Sequence, residues 1–191
     1  MGAVSTLVVL AVPLVLVVLV AFWFIATYNR LVRQRNQVQA AGAQVDVQLK
    51  RRHDLIPNLV ETVRGYAAHE RGTLDAVVSA RQGAVATVGA PRASQAQAEG
   101  ALSQALSRLL AVAEAYPDLK ANQNFLALQG ELGATEDKIA YSRQFLNSAV
   151  QTFNTSVQSV PTNLVAGIGG FHVADFFQAA GDERGPVSVR F

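Results

Sequence analysis

The first 29 residues carry no charged side chain, and from Val4 to Thr27 nearly every residue is apolar. At about 1.5 Å rise per residue, such a run is long enough to cross a hydrocarbon core ~30 Å thick. Within lipid the backbone must satisfy its own hydrogen bonds, so a segment of this kind is a helix. A cleaved signal peptide is the rival reading, and three features oppose it. No Lys or Arg precedes the run, the run is too long, and no small-x-small cleavage pattern follows it. Phe22, Trp23, Phe24 and Tyr28 gather near its end, as aromatic residues do at a membrane–water boundary. Pro13 sits mid-span, where a local kink or a neighbouring helix re-satisfies the freed carbonyl.

The first charges cluster at one edge: Arg30, Arg33 and Arg35, then Lys50, Arg51 and Arg52, against Asp46 as the single acid of that stretch. The positive-inside bias then places the N-terminus outside and the main domain in the cytoplasm. Arg30, Arg33 and Arg35 are the candidate contacts to anionic lipid headgroups, each attraction worth about 1 kcal/mol at such a surface. A net charge of +2 is too small to suggest nucleic acid as a partner.

The remaining ~160 residues suffice for one domain with its own core. Cysteine is absent, which excludes disulfides, thiol chemistry and zinc–thiolate sites. Phe125, Leu132, Ile139, Leu146 and Phe153 recur every seventh residue, and Leu128, Thr135, Ser142, Ala149 and Ser156 form a mostly small companion seam. A sustained seven-residue repeat predicts a helix packed along that face with left-handed supercoiling, here from about Asp118 to Ser159 between Pro117 and Pro161. Ser94 and Gln97 match a capping box opening a helix to about Ala115, with Leu102, Leu106, Leu109 and Ala113 on one stripe. A helix from Asn58 to Thr87 and a continuation of the span through Leu31, Val38, Val45 and Leu49 complete four runs, with Pro57 expected to interrupt their junction. The fold class predicted is all-α, a transmembrane helix followed by an antiparallel four-helix bundle of long helices. The domains are an anchor at 1–29, the bundle at 30–160 and a tail at 161–191, where Gly167, Gly169, Gly170, Gly181 and Gly185 are expected to break any helix among apolar Leu164, Ile168, Phe171, Phe176 and Phe177.

Nothing in the chain spells a catalytic centre. His69-Glu70 lacks the second His that a zinc-protease helix needs, since position 73 is Thr. His53, His69 and His172 are far apart and read as surface or boundary residues. Glu61, Glu70 and Glu114 lack the Glu-x-x-His motifs of a di-iron bundle, and no phosphate-cradling loop or nucleophile elbow is present. The expectation is therefore no enzyme, no metal and no cofactor. The conspicuous polar series is Lys50, Arg51, Arg52, His53 and Asp54 with Asn58. As a solvated helix face it would make ordinary surface pairs worth under ~1 kcal/mol. As a docking surface, Lys50, Arg51, Arg52, Asp54 and Asn58 would meet a partner, with an arginine forking onto a carboxylate or phosphate. Asn147 and Asn154 are expected to fix helix register inside the bundle.

The run from Asp46 to Glu70, with Leu55-Ile56-Pro57-Asn58-Leu59-Val60-Glu61 at its centre, resembles the signature of the LemA family of bacterial membrane-anchored helical proteins. Two further segments agree: Tyr28-Asn29-x-Leu31-Val32-x-x-Arg35-Asn36, and Tyr116-Pro117-Asp118-Leu119-Lys120-Ala121-Asn122 leading to Thr135-Glu136. The chain departs at Gly42, where a large aromatic is usual, and at Leu146 and Phe153, where Tyr is usual. The resemblance implies one N-terminal span in the bacterial inner membrane, a soluble four-helix bundle and no established enzymatic activity.

The function expected is a non-enzymatic scaffold or binding module that forms homo-oligomers and organises other membrane proteins at the lipid surface. Two alternatives stand beside it: a regulatory adaptor of a membrane protease or envelope stress system, and a membrane-remodelling protein whose tail residues Phe171 to Phe177 insert into lipid.

Overall fold

The computed structural model describes residues 2–177, with side chains from residue 11 onward. The described residues are helical apart from short connections and an extended stretch after residue 170, with no strand. In chain order the helices are α1 (Gly2–Arg64), α2 (Arg71–Ala86), α3 (Arg92–Ala113), α4 (Pro117–Lys120), α5 (Gln123–Gln158) and α6 (Thr162–Ile168). The described residues form two compact units, one of residues 2–40 with 148–174, the other of residues 41–147 with 175–177.

α1 is one uninterrupted helix of 63 residues, so neither Pro13 nor Pro57 breaks it. Its first part is long and apolar enough to cross a membrane, and from Val12 to Val20 every side chain is exposed. A stripe of aliphatic residues facing nothing within the protein is what lipid solvates. In the second unit, Ile56, Leu59, Val60 and Val63 of α1 share one core with Leu74 and Val77 of α2, Leu102, Leu106 and Leu109 of α3, Leu119 of α4, and Phe125 and Leu132 of α5. The seven-residue seam is buried as expected: Phe125, Leu132, Ile139, Leu146 and Phe153 are each at most 5 % exposed, and Thr135, Ser142 and Ala149 are buried beside them.

Four helix boundaries differ from expectation. The run expected from Asn58 to Thr87 is divided instead at residues 65–70, with α1 continuing through Pro57 to Arg64 and α2 starting at Arg71. The long C-terminal helix starts at Gln123, after the separate turn α4, because the Asn122 side chain accepts the Phe125 N–H at 3.1 Å and caps a new helix there. α3 opens at Arg92 behind Pro91, two residues before Ser94, and Ser94 makes no cap. The glycine-rich tail does not break every helix. α6 forms and is closed by its glycines: Phe171 N donates to Ala166 O at 3.0 Å, Gly170 N donates to Gly167 O, and Gly170 takes φ +66°. Gly169 has a different reason, since a Cβ there would lie 2.6 Å from the Phe171 ring and 3.1 Å from that of Tyr28. Gly181 and Gly185 lie outside the described residues.

In the first unit Leu31 and Phe153 close a second core with Val165 and Ala166 of α6 and with Phe171. Tyr28 meets Phe171 edge-on with ring centroids 5.4 Å apart, Phe153 does so at 6.5 Å, and the Arg35 guanidinium lies 5.2 Å from the Phe171 centroid. Phe171 and Phe177 are thus buried against protein, which corrects their reading as lipid-inserting residues. Asn147 and Asn154 do not set register between helices. Asn154 Nδ2 donates to Ala174 O at 2.9 Å while its Oδ1 accepts Ala174 N–H at 2.8 Å. Asn147 holds Phe177 the same way, at 3.0 and 2.9 Å.

Candidate functional site

Helical spacing along α1 places Val45, Leu49, Arg52 and Ile56 on one inward stripe, all at most 2 % exposed. A guanidinium therefore stands where an aliphatic residue is the rule. Burying a charge is tolerable only with partners in good geometry, and α3 and α5 supply them. Arg52 Nη1 approaches Glu99 Oε2 at 3.4 Å, Nη2 donates to Ser103 Oγ at 2.8 Å, and Nε lies 2.9 Å from Glu136 Oε1, an ion pair whose N–H is not aligned for a hydrogen bond. Glu99 is itself 1 % exposed, and its Oε1 lies 2.7 Å from His53 Nε2. Nearly two turns earlier Arg92 forks onto Asp46, Nη1 at 2.6 Å and Nη2 at 3.2 Å, with Gln95 bonded to both. Gly42 leaves the room for this fork: a Cβ there would sit 2.7 Å from Arg92 Nη2.

Pro57 explains a further arginine. Having no N–H, it leaves the His53 carbonyl without its helical donor, and Arg81 Nε from α2 donates to that oxygen at 2.7 Å. This bond replaces the missing one and lets α1 run straight through. Arg81→Leu is expected to cost about 1–3 kcal/mol by orphaning the carbonyl. In a Pro57→Ala background, where the restored backbone N–H at that position takes over, the loss should fall below ~1 kcal/mol. A double-mutant cycle on thermal unfolding measures the difference; equal losses in the two backgrounds would refute the replacement.

Beside the buried charges lies a half-open groove of about 520 Å³, lined by Asp46, Val47, Leu49, Lys50, His53 and Asp54 of α1, Arg81 and Val85 of α2, Val88 of the following turn and Gln95 of α3. Val47, Val85 and Val88 are exposed along it. Lys50 Nζ donates to Asp54 Oδ2 at 2.8 Å on its rim. That bond, opposed by desolvation and aided by the charges of Lys50 and Arg81, holds the Asp54 carboxyl below its ordinary range. The pair's contribution is complete above the ordinary carboxylate range and fades as pH falls through the lowered value.

Of the expected docking residues, Lys50, Arg51, Asp54 and Asn58 are exposed and Arg52 is buried. Lys50 and Asp54 share the groove, and Arg51 turns toward Glu131 of α5 at 3.7 Å. Arg52 is a correction: its fork is occupied inside the protein and is not available to a partner. His53 is likewise interior, whereas His69 and His172 are exposed. Tyr116 donates to Glu70 at 3.3 Å, and burial together with the Glu70 charge raises its hydroxyl above the usual tyrosine value. Glu61 pairs with Arg64 and Glu114 with Lys120 on the surface. Among the described residues no three His, Asp or Glu side chains converge as metal ligands, and Arg30 and Arg33 make no ion pair. Sequence reasoning missed Glu99, Arg81, Arg92, Ser103 and Glu136. The signal for Glu99 was present, since it sits one turn before Leu102 on the stripe that carries Leu106 and Leu109.

A long apolar helix that continues into an all-helical unit defines a membrane-associated helical protein. Comparison with known proteins specifies it further. Residues 41–191 match the LemA family model. The chain is 31% identical over 199 residues to magnetosome protein MamQ 2 of Paramagnetospirillum magneticum, covering 88% of this chain and 73% of that protein. It is 26% identical over 168 residues to protein LemA of Metamycoplasma hominis, covering 88% and 76%. It is 27% identical over 181 residues to magnetosome protein MamQ of Magnetospirillum gryphiswaldense, covering 81% and 66%. The chain belongs to the LemA family.

Proposed function

We propose that this protein is a non-enzymatic, membrane-tethered binding module that docks partner proteins in the groove between α1, α2 and α3 and associates with further copies of itself. The observation that carries the reading is the groove itself. Three exposed valines, an arginine and a lysine–aspartate pair line a concavity whose walls are fixed by the Arg52–Glu99 and Arg92–Asp46 contacts. A pre-formed concave surface with apolar walls and a few placed polar groups is the usual form of a binding site. The core shared by α1, α2, α3 and α5 supports the four-helix bundle arrangement. The arginines at 30, 33 and 35 favour the N-terminus outside and the bundle in the cytoplasm at the bacterial inner membrane, with their guanidinium groups among anionic headgroups.

The test uses the full chain extracted in mild detergent, as wild type and as the double variant Val47→Asp, Val88→Asp. Both positions are exposed, so the melting transition should be unchanged. Wild type is expected to migrate as an oligomer and to retain co-purifying membrane proteins, and the variant to lose them about tenfold, the effect of ~1.4 kcal/mol of binding energy. A wild-type chain that is monomeric and retains nothing, or a variant that retains as much as wild type, overturns the reading.

A further inference from the structure

From Gln144 to Ala174 the chain contains no Asp, Glu, Lys or Arg, whereas between residues 30 and 143 no charge-free run exceeds ten residues. The only other stretch of comparable length without charge is the apolar N-terminal run. From Ser148 on, the stretch belongs to the same compact unit as that run. Within it α6 presses Val165 and Ala166 into the core with Leu31, and Phe24 packs on the same cluster. Phe24 belongs to the apolar run and Leu31 follows the first charge, Arg30. α6 therefore lies at the level where α1, read as a span, leaves the hydrocarbon.

The opposite side of this segment is apolar and uncovered. Val160, Leu164 and Ile168, four residues apart, are 81 %, 65 % and 77 % exposed. A water-facing helix carries charge on such a side; here the flanking polar groups are Thr162 and Asn163, which suit a headgroup layer. We propose that α6 is a second, monotopic membrane contact, lying along the bilayer interface beside the exit of α1 with Leu164 and Ile168 in the acyl boundary. The occupant of the face is lipid, because α6 stands beside the exit of the span, where Phe24 and Leu31 pack with Val165 and Ala166, and because no charge interrupts the exposed row. The inference rests on the reading of α1 as a span, and it goes beyond that reading by assigning a lipid contact to a segment far from the N-terminus. It also moves the lipid-contacting residues from Phe171 and Phe177, which are buried, to the row on α6.

The absence of native cysteine permits a direct test on the full chain. Single variants Leu164→Cys, Ile168→Cys, Leu126→Cys and Val15→Cys are spin-labelled and reconstituted in vesicles of phosphatidylcholine and phosphatidylglycerol. All four positions are exposed, so labelling leaves the cores intact. The readout is the ratio of collision rates with oxygen, which partitions into lipid, and with a nickel chelate, which stays in water. The ratio at 164 and 168 is expected to exceed that at 126 by about fivefold and to fall between 126 and 15, as for an interfacial helix. A ratio at 164 and 168 equal to that at 126, with Val15 at lipid level, overturns the inference and leaves the span intact. Low collision with both reagents at 164 and 168 would mean that protein, such as a second copy, covers the face, which also overturns it. An aqueous ratio at Val15 overturns the span and the inference together.

Discussion

Glu99→Ala is expected to destabilise the helical unit by about 3–5 kcal/mol, lowering the melting midpoint by ~10 °C. The carboxylate is 1 % exposed and bonds two groups that are nearly as inaccessible, Arg52 at 3.4 Å and His53 at 2.7 Å. Deleting it leaves the guanidinium with Ser103 and a misaligned Glu136, inside a stripe otherwise made of Leu49 and Ile56. The cost is therefore that of a buried charge left with one half-exposed, poorly aligned partner, which exceeds that of one lost surface ion pair. The matching outcome separates these two. Arg52→Met with Glu99→Leu removes both charges and fills their volume, and should recover most of the lost stability, because the desolvation of two ions disappears along with their attraction. His53 then turns to the groove that it already lines. Thermal unfolding of the full chain in mild detergent measures all three proteins. A loss below ~1 kcal/mol for Glu99→Ala, typical of an exposed pair, would contradict the burial.

Phe171→Ala should have an effect of similar size in a different place. The ring touches Tyr28, Phe153 and Arg35 and is 5 % exposed, and truncation of a buried Phe costs about 3–5 kcal/mol. Its loss falls on the first unit alone, so the expected result is local release. Amide protection should drop over residues 162–174 and protease should cleave near Gly170, while the core around Leu106 keeps its protection. Phe176→Ala is the control: 41 % exposed, it should change protection by under ~1 kcal/mol. Equal behaviour of the two variants would mean that Phe171 does not hold the segment.

The seven-residue seam was legible because five large residues at constant spacing leave a helix no other face to bury. The N-terminal helix was legible from the absence of charge. Pro57 misled for a reason that sequence cannot supply: the donor that repairs the His53 carbonyl comes from Arg81, 28 residues away. Ser94 misled because a capping pattern is local, whereas the helix start is drawn back to Arg92 by its fork onto Asp46. The series from Lys50 to Asp54 read as one polar surface, yet the helix turns about 100° per residue and divides it. Lys50 and Asp54 face the groove, Arg51 faces Glu131, and Arg52 with His53 turn inward. The groove needed three helices to exist, and only the α1 side was visible beforehand.

Asn147 and Asn154 each clasp both the N–H and the C=O of one residue in the extended stretch, Phe177 and Ala174. An amide engaged in this way recognises main chain and is indifferent to the side chain it carries. The path of the segment is thus inherited from α5, and its exposed positions, Val173 and Phe176, are free to vary. Changes at those two positions would alter what this end of the protein presents to its surroundings and keep the same attachment.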